Sequence, residues 1–507
     1  MLYSKRLQNY IHMKKFSFLT ILLFLLFFFH AVTELFSQSP APVGPKPNII
    51  FIMADDLGYG ELGCYGQKII MTPNIDRIAR EGIKFTNFYS GQAVCAPARC
   101  TLMTGYHTGH AYIRDNGPKK GPHPKTPFPG QNPIPDQVVT IAELLQTAGY
   151  TTGCIGKWGL GNTYNSGDPM KQGFDFFYGY KCQIHAHNHY PEFLWRNDSI
   201  EHIPGNDGKS LRGTHHSQDL FTLESVKFIN RNQDKPFFLY LPFIIPHLSI
   251  QTTDLYLDMY KGHVPETPYK HHGYLKNPYP HAAYAGMISQ LDAAVGTILE
   301  TIKGLGLDDN TIVFFTSDNG PAYKRLGGSD DKFFHSAGRL RGLKGSLHEG
   351  GIREPLVIRW PGKIKPGKVT DIPSAFWDVL PTLCEIGGAE IPSGIDGISF
   401  LPTLIGKGKQ QKHRFLYWEF KSYGGQASVR MSDWKLIITN LRAKNKKPEV
   451  QLYNLKKDPG ESTNLAEDHP DLVNKGMEMI KREHTPSKLF AFPELVNFVN
   501  AWLQSNT

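Results

Sequence analysis

Short, continuous runs of apolar residues recur along this chain, with amphipathic stretches between them. Apolar runs predict strands covered on both faces at 48–54 (NIIFIMA), 151–156, 236–247 and 310–320. Helices are predicted from the intervening periodicity and end signals over 73–80, 139–149, 219–232 and 282–306. Strands that alternate with helices predict an α/β fold with a large, mostly parallel, doubly wound sheet.

The pattern changes after about residue 412. RFLYWEF, QASVRMSDWKLIIT and VQLYNL read as short strands joined by turns, and a helix is predicted over HPDLVNKGMEMIKREH. We therefore expect a main domain over 46–411 and a smaller C-terminal subdomain over 412–507, built from an antiparallel sheet and a helix.

Residues 1–38 have the pattern of a targeting segment. Lys14 and Lys15 precede the apolar run 16–32, which gives way to a polar stretch. The run is shorter than the roughly 20 residues of a membrane span. A cleaved signal peptide is the favoured interpretation and a retained anchor the alternative, with translation starting at Met1 or Met13. We expect an exported protein, periplasmic or secreted, without stable membrane insertion after signal removal.

Charge and cysteine content exclude several classes of protein. The formal net charge is +9, from 55 Lys and Arg against 46 Asp and Glu. Part of the excess lies in the leader and the rest is dispersed, without the arginine-rich helix of a nucleic-acid partner. The six cysteines include no CxxC pair, which argues against a cysteine zinc site.

Polar side chains follow four of the predicted strands, and in such sheets ligands bind beyond the carboxyl ends of the strands. These side chains are Asp55 and Asp56, Lys157, His247, and Asp318 with Asn319. Singly, each is as consistent with a turn or a helix cap. Together, three carboxylates and an amide oxygen suit calcium or magnesium. Nearby cationic side chains would hold a tetrahedral oxyanion.

One further segment is diagnostic. CAPARCTLMTG (95–105) matches the motif C-x-P-x-R-x-x-L-x-T-G, and DDLGYGELGCYG, GKWGLG, SDNGP, RGLKGSLHEGGIREP and LYNLKKDPGESTNLA follow the same family pattern in order. Over about 46–485 the chain resembles the formylglycine-dependent sulfatases of the alkaline-phosphatase-like fold. The resemblance implies that 46–411 is the catalytic domain.

The resemblance also implies a modification of Cys95. A maturation enzyme would oxidise this residue to formylglycine while the segment is unfolded. One hydroxyl of the hydrated aldehyde, ionised by the metal, would attack sulfur and expel the alcohol. The second hydroxyl would then release the sulfate as the aldehyde re-forms.

Residue roles follow from the same resemblance. Arg99 would steady the diol, Lys157 and Lys344 would bind sulfate oxygens, and His247, with Lys344, would protonate the leaving oxygen. The implied cofactor is Ca²⁺, with Mg²⁺ as the alternative. The implied metal ligands are Asp55, Asp56, Cys95, Asp318 and Asn319.

Two positions depart from the family pattern. Ala98 replaces a common serine, and Gly159 stands where many members have a histidine assigned to deprotonate the diol. Another histidine must take that role, or the step differs. Candidates are His348 and the alternating set His185, His187 and His189. For this set a substrate-contacting loop is the main interpretation, with a metal site or plain surface as alternatives.

The sequence therefore predicts a sulfatase that acts on a sulfated carbohydrate or an aryl sulfate. Two alternatives stay open. A phosphodiesterase or phosphonate hydrolase of the same fold would also bind a monoanion, and a sulfated-glycan-binding pseudoenzyme is conceivable because Gly159 replaces the histidine.

Overall fold

The computed structural model describes residues 45–122, 128–271, 273–323 and 325–506. The predicted signal peptide, residues 1–38, lies outside the described residues. By its internal contacts, the chain from Lys46 onward forms a single unit. Among the helices in the described ranges, none combines the length and apolar character needed to cross a membrane.

Seventeen strands are formed by the described residues. In chain order they are β1 (Asn48–Ala54), β2 (Ile83–Tyr89), β3 (Pro118–Pro122), β4 (Pro129–Gln131), β5 (Thr151–Lys157), β6 (Phe176–Tyr180), β7 (Phe193–Arg196), β8 (Ser199–His202), β9 (Phe237–Pro242), β10 (Thr311–Ser317), β11 (Arg353–Arg359), β12 (Lys368–Thr370), β13 (Ser374–Ala375), β14 (Leu416–Phe420), β15 (Gln426–Met431), β16 (Trp434–Thr439) and β17 (Glu449–Asn454).

Eleven of these strands form one large sheet, in the order β12-β2-β11-β10-β1-β9-β5-β6-β7-β8, with β13 beside β2. Its centre, β10-β1-β9-β5-β6, is parallel throughout. Antiparallel pairing occurs at β11 and at β7 and β8. The sheet is therefore mixed and mostly parallel, as the sequence predicted.

The α-helices cover both faces of this sheet or pack in the C-terminal region. In chain order they are α1 (Pro73–Glu81), α2 (Cys95–Thr104), α3 (Ile141–Thr147), α4 (Ser217–Arg231), α5 (Asp254–Asp258), α6 (Pro280–Gly304), α7 (Asp331–Phe334), α8 (Glu349–Ile352), α9 (Val379–Gly387), α10 (Leu401–Ile405), α11 (Pro470–Glu483) and α12 (Pro493–Asn506).

The central strand β1 shows why the sheet is doubly wound. Ile50 and Ile52 belong to a core that includes α1, α4 and α6, whereas Phe51 and Met53 belong to a second core that includes α2, α3 and α9. Because successive strand residues point to opposite faces, a run without polar residues fills both cores at once.

A separate four-stranded antiparallel sheet, β14-β15-β16-β17, follows the large one. Helices α11 and α12 cover it through an apolar cluster of their own. The sequence predicted the sheet and α11, while α12 was not foreseen. The limits 46–411 and 412–507 remain a proposal about domain organisation.

One strand is shorter than predicted. The apolar run 236–247 is extended only over β9, and His247 lies in the loop that follows. Proline has no backbone N–H to give to a ladder, and Pro242 and Pro246 flank the point where pairing stops. His247 therefore sits five residues beyond the strand end.

Candidate active site

The parallel strands at the centre of the large sheet bring its acidic groups to one edge. Ala54 of β1 is opposite Ser317 of β10, so Asp55 and Asp56 emerge beside Asp318 and Asn319. The Asp56 backbone N–H donates to Asp318 Oδ1 over 3.1 Å. All four side chains are buried.

Cys95 joins this acidic group from the first turn of α2. Its Sγ donates to Asp55 Oδ1 over 3.2 Å and lies 3.6 Å from Lys344 Nζ. The side chain is 1% exposed. Burial and the Asp318 and Asp55 carboxylates raise the pKa of the Cys95 thiol well above its usual range. As an unmodified thiol it is protonated, which makes it a poor nucleophile.

Three cationic side chains neutralise the carboxylates. Lys157, the last residue of β5, donates to Asp55 Oδ2 over 2.6 Å. Arg99, one turn after Cys95, donates to Asp318 Oδ2 over 2.7 Å and also to the Lys157 carbonyl. Lys344 contacts the Asp56 carboxylate at 2.8 Å. Each acid thus faces a buried cation.

The three carboxyl groups differ in the direction of their pKa shifts. Burial disfavours the charge of Asp55, but Lys157 and Arg99 outweigh it and hold its pKa well below the usual range. Burial raises the pKa of Asp56, and burial with the Asp55 charge raises that of Asp318 to about 6. A further cation at the cluster would therefore favour the ionised forms of Asp56 and Asp318.

His247 approaches the cluster from the loop after β9. Its Nε2 lies 3.6 Å from Asp56 Oδ2. Nδ1 is 2.7 Å from the Leu248 carbonyl, which can only accept, so Nδ1 carries the proton in the neutral ring. Burial and Lys344 lower the pKa of His247 well below its usual range.

The predicted histidine set does not gather at one point. His185 is buried, with Tyr180 and Phe193 against its ring. His189 is buried and bonds through Nε2 to the His247 carbonyl at 2.9 Å. Only His187 is half-buried and stacks on the His247 ring, with centroids 4.8 Å apart. Of the three, His187 alone presents its ring beside a predicted catalytic side chain.

The remaining candidate, His348, is bound to Gln451 Oε1 of β17 through Nε2, at 3.1 Å. Its Nδ1 lies 3.0 Å from Ser346 Oγ. One ring nitrogen therefore has a partner in the loop after Lys344, and the other has a partner in the small sheet.

Gly159 lies two residues after Lys157 in a conformation that disfavours a side chain. Its φ is +80°, and a Cβ built there would lie 2.0 Å from Gln183 Nε2. Side chains are strained at such φ values, and the Gln183 amide fills the direction that a side chain would take. The signal was in the sequence as a glycine; the partner Gln183 was not predictable from it.

The acidic cluster has the donor set of a hard-cation site. Ligand atoms of Asp55, Asp56, Cys95 and His247 all lie within 4.8 Å of one another. Asn319 donates its amide N–H to Asp56 Oδ1 over 2.7 Å, while its Oδ1 is buried without a hydrogen bond among the described residues. Carboxylate and amide oxygens in this number fit calcium or magnesium.

Three tyrosines near the cluster were missed by sequence reasoning. Tyr323 lies beneath Lys344 Nζ, 5.7 Å from the ring centroid. Tyr423, from the small sheet, stacks on Tyr323. Tyr274 lies beside His187, with ring centroids 5.7 Å apart. No motif marks them, because their proximity depends on loops that are distant in sequence.

Comparison with known proteins gives two family-level matches. The sequence model described as Sulfatase matches residues 47–389, and the one described as N-sulphoglucosamine sulphohydrolase, C-terminal, matches 343–483. The second match spans the last three strands of the large sheet and all four strands of the small one.

Individual relatives are similar over most of the chain. Arylsulfatase A of Homo sapiens is 32% identical, with 83% of this chain and 84% of the relative covered. N-acetylgalactosamine-6-O-sulfatase of Bacteroides thetaiotaomicron is 30% identical, with 87% and 93% covered.

Solved structures share the fold. Ps i-CgsB in complex with k-i-k-neocarrahexaose has a TM-score of 0.74 at 28% identity, covering 91% of this chain and 98% of that one. A phosphonate monoester hydrolase of Agrobacterium radiobacter has a TM-score of 0.62 at 21% identity, covering 86% and 95%, and supports a common fold alone.

Proposed function

The chain belongs to the sulfatase family and is a sulfuric ester hydrolase, and from that premise we propose that it is an exported enzyme which desulfates carbohydrates through formylglycine at position 95 and a divalent cation. The observation that carries the proposal is the Cys95 Sγ, 3.2 Å from Asp55 Oδ1 at the carboxyl edge of the sheet. The cysteine that opens the family motif thus lies within the acidic cluster.

Modification of Cys95 resolves a chemical difficulty of the site. The raised pKa keeps the thiol protonated, and an ester formed on a simple serine or cysteine would have no internal route of release. The hydrated aldehyde supplies two hydroxyl groups, one to take the sulfuryl group and one to release sulfate as the carbonyl re-forms. A maturation enzyme is therefore a required partner.

The cation would be held by Asp55, Asp56, Asp318 and Asn319, with the converted residue 95. When bound, it supplies positive charge that polarises oxygen atoms at residue 95 and on the substrate. Arg99, held by Asp318, and Lys157, held by Asp55, fix those two carboxylates in position. The Asn319 Oδ1, which lacks a hydrogen bond in the described part of the chain, supports this assignment.

Lys157 and Lys344 are proposed to bind the sulfate oxygens. Both are buried lysines beside the acidic cluster, and Lys344 Nζ is 3.6 Å from Cys95 Sγ. A sulfate monoester carries one negative charge, and two preorganised ammonium groups would stabilise it more strongly as charge moves onto its oxygens. Cleavage of the sulfur–oxygen bond leaves an alkoxide that needs a proton.

His247 is proposed to deliver that proton. Its Nε2 faces the cluster and is the unprotonated nitrogen of the neutral ring. The added negative charge of a bound substrate would favour the imidazolium, whose Nε2–H could then be transferred to the leaving oxygen. Lys344 lies beside the same carboxylate and is the second candidate donor.

The names of relatives support a carbohydrate substrate. One relative at 30% identity is named N-acetylgalactosamine-6-O-sulfatase, and one structure at 28% identity is a complex with k-i-k-neocarrahexaose. We propose a sulfated sugar as the physiological substrate and an aryl sulfate as a laboratory one. Of the loop that carries His185, His187 and His189, only His187 is proposed to contact the substrate, because its ring lies beside His247.

Localisation and domain organisation are proposed from the sequence. The basic and apolar leader over 1–38 supports export to the periplasm or beyond. The catalytic domain would be 46–411, and the C-terminal subdomain 412–507. Active protein would then require coexpression with a formylglycine-generating enzyme in a host that can export the chain.

Mass spectrometry of the peptide that spans Cys95 tests the proposal. After coexpression with a formylglycine-generating enzyme, the peptide is expected to carry the aldehyde, and the protein to hydrolyse nitrophenyl sulfate. Unmodified cysteine together with undiminished turnover would refute the assignment. A large preference for bis-nitrophenyl phosphate over nitrophenyl sulfate would favour the phosphodiesterase alternative instead.

A further inference from the structure

Two stacked tyrosines lead from the reacting centre to solvent. The Tyr323 ring lies beneath Lys344 Nζ, and Lys344 contacts Cys95 and Asp56. Tyr423 stacks on Tyr323 with ring centroids 5.7 Å apart and ring planes inclined by 19°. The Tyr423 side chain is 52% exposed. A ligand whose sulfate reaches Lys344 would therefore extend past these rings.

The two rings come from different sheets. Tyr323 follows Asp318 and Asn319 in the loop after β10, whereas Tyr423 lies in the turn between β14 and β15 of the small sheet. The turn is fixed to the loop that carries Lys344, because Gln426 Nε2 donates to the Gly345 carbonyl over 2.8 Å and Leu347 N–H donates to Gln426 Oε1 over 2.9 Å. The small sheet thus brings an aromatic face to the site.

Tyr423 is held in a costly backbone conformation. Its φ is +53°, in the left-handed region, where the backbone of a bulky residue is strained. A half-exposed ring returns little of this through burial. Its position is defined by Phe420, 5.4 Å away, and by Gly345, where an added Cβ would lie 2.7 Å from the ring.

We infer that Tyr323 and Tyr423 form a platform that binds the sugar ring which carries the scissile sulfate, an inference that rests on the proposed carbohydrate substrate. The hydroxyl groups of the pair lie against each other, and the exposed half of the Tyr423 side chain is the part that a ligand can contact. The C–H face of a pyranose packs on an aromatic ring, while its hydroxyls stay in water. Lys344 beside the platform complements the charge of the sulfate.

The platform also explains a role for the small sheet in substrate choice. The scissile group is bound by residues of the large sheet, and the ring that carries it by a residue of the small one. A sugar whose sulfate projects in another direction could not satisfy both at once. Tyr423 is accordingly a specificity-determining residue rather than a participant in the chemistry.

Ligand binding in a Cys95→Ala background tests the inference without turnover. The probes are oligosaccharides sulfated at defined carbons of galactose, N-acetylgalactosamine and glucosamine, with inorganic sulfate as a probe of the anion site. Against the saccharide that binds best, Tyr423→Gly is expected to raise Kd roughly ten-fold or more, and Tyr423→Phe less than about three-fold. The affinity for inorganic sulfate should change less than about two-fold in both.

Glycine is chosen because it relieves the positive φ at position 423, so a loss of binding cannot be ascribed to backbone strain. The thermal unfolding midpoint is recorded for each variant. Val369→Ala is the control. Val369 is similarly exposed, at 58%, and lies in β12, the terminal strand of the large sheet beside β2. It should leave every Kd unchanged.

The outcomes separate the inference from the proposed function. A parent protein that binds none of the saccharides would refute the carbohydrate substrate and the platform with it. A parent that binds, with an unchanged Kd in Tyr423→Gly, would overturn the platform alone. Equal losses in the Gly and Phe variants would also overturn it, because the hydroxyl and not the ring face would then be responsible.

Discussion

Cys95 illustrates how strongly one residue depends on its surroundings. As a thiol it is buried, protonated and hydrogen-bonded to Asp55, so its chemistry must come from modification. Cys95→Ala is expected to lower the turnover of nitrophenyl sulfate by about 10³-fold or more, because the group that accepts the sulfuryl moiety is lost. Steady-state kinetics on the coexpressed protein measure the effect.

Cys384→Ala is the matched control for this experiment. Cys384 is a buried thiol of α9, and its truncation removes a small apolar group away from the acidic cluster. It should cost about 1 kcal/mol of unfolding free energy and leave turnover intact. Activity retained in Cys95→Ala, at the level of this control, would mean that another nucleophile operates.

Gly159 is the residue at which a family histidine is absent. Gly159→Ala is expected to lower the unfolding free energy by about 2 kcal/mol or more, since its φ of +80° and the Gln183 amide both oppose a Cβ. In a Gln183→Ala background, the same substitution should cost about 1 kcal/mol less. Urea unfolding of the four proteins measures this cycle, and equal costs in both backgrounds would show that Gln183 is not the obstacle.

His187 and His185 are expected to respond differently to substitution. His187→Ala is expected to lower kcat for nitrophenyl sulfate by about 10²-fold with little change in stability, because its ring stacks on His247 at the edge of the cluster. His185→Ala should instead cost about 2–3 kcal/mol of unfolding free energy, since it empties an aromatic pocket. A kcat unchanged in His187→Ala would remove this histidine from consideration as the missing base.

Strand ends determine the cation site at the scale of elements. The ends of β1 and β10 bring three carboxylates together, and burial with repulsion from the Asp55 charge raises the pKa of Asp318 to about 6. Binding of Ca²⁺ should raise the unfolding temperature by several degrees, because it removes this repulsion in the folded state only. Thermal unfolding after chelation, with Ca²⁺ or Mg²⁺ added back, measures the shift.

Asn319→Ala provides a variant for the same titration. It removes the buried Oδ1 without changing the charge of the cluster. A weakened Ca²⁺ response is expected here, while Asn310→Ala, at the start of β10, should respond like the parent. An equal midpoint with and without both cations in the parent would contradict the assignment of a hard-cation site.

The elements also show what the sequence could and could not predict. Alternating apolar strands and periodic helices suffice for a doubly wound sheet, and the position of Asp55 or Asp318 directly after a strand suffices for a cluster at one edge. The end of β9 was missed because apolar character alone does not register two prolines. Helix α12 was missed although Leu495, Val499 and Leu503 repeat every four residues. The platform could not be foreseen, because the contact between Tyr323 and Tyr423 spans two sheets.

At the scale of the whole molecule, the two sheets are joined by buried charges. Lys435 of β16 lies 2.9 Å from Glu349 of α8 and 3.0 Å from Glu461, and all three are fully buried. Both carboxylates contact the Lys435 ammonium group, but Glu349 is also paired with Arg353 at 3.2 Å, so Glu461 is the acid that ionises less readily. Burial and the Glu349 charge raise the pKa of Glu461 to about 7, although Lys435 opposes the shift.

This raised pKa sets a direction for the pH dependence of stability. Between the ordinary glutamate pKa and about 7, the folded state keeps a proton that the unfolded state has lost. The contribution of Glu461 to the unfolding free energy should therefore fall as pH rises through this window, by on the order of 3 kcal/mol. Glu461→Gln removes this titration, so the unfolding free energy of the variant is expected to rise relative to that of the parent between about pH 5 and 8.

Glu494→Gln separates this effect from any other glutamate of the C-terminal region. Glu494 is a half-buried partner of Arg442, and its lowered pKa places its titration below the window. The control should therefore keep the slope of the parent in urea unfolding at each pH. A Glu461→Gln variant with the same pH slope as the parent would show that Glu461 is ionised in the folded protein across the window. Both carboxylates would then be charged beside Lys435. In that case Lys435→Met would lower the unfolding free energy more at high pH than at low pH, because both acids would lose the ammonium group that they share.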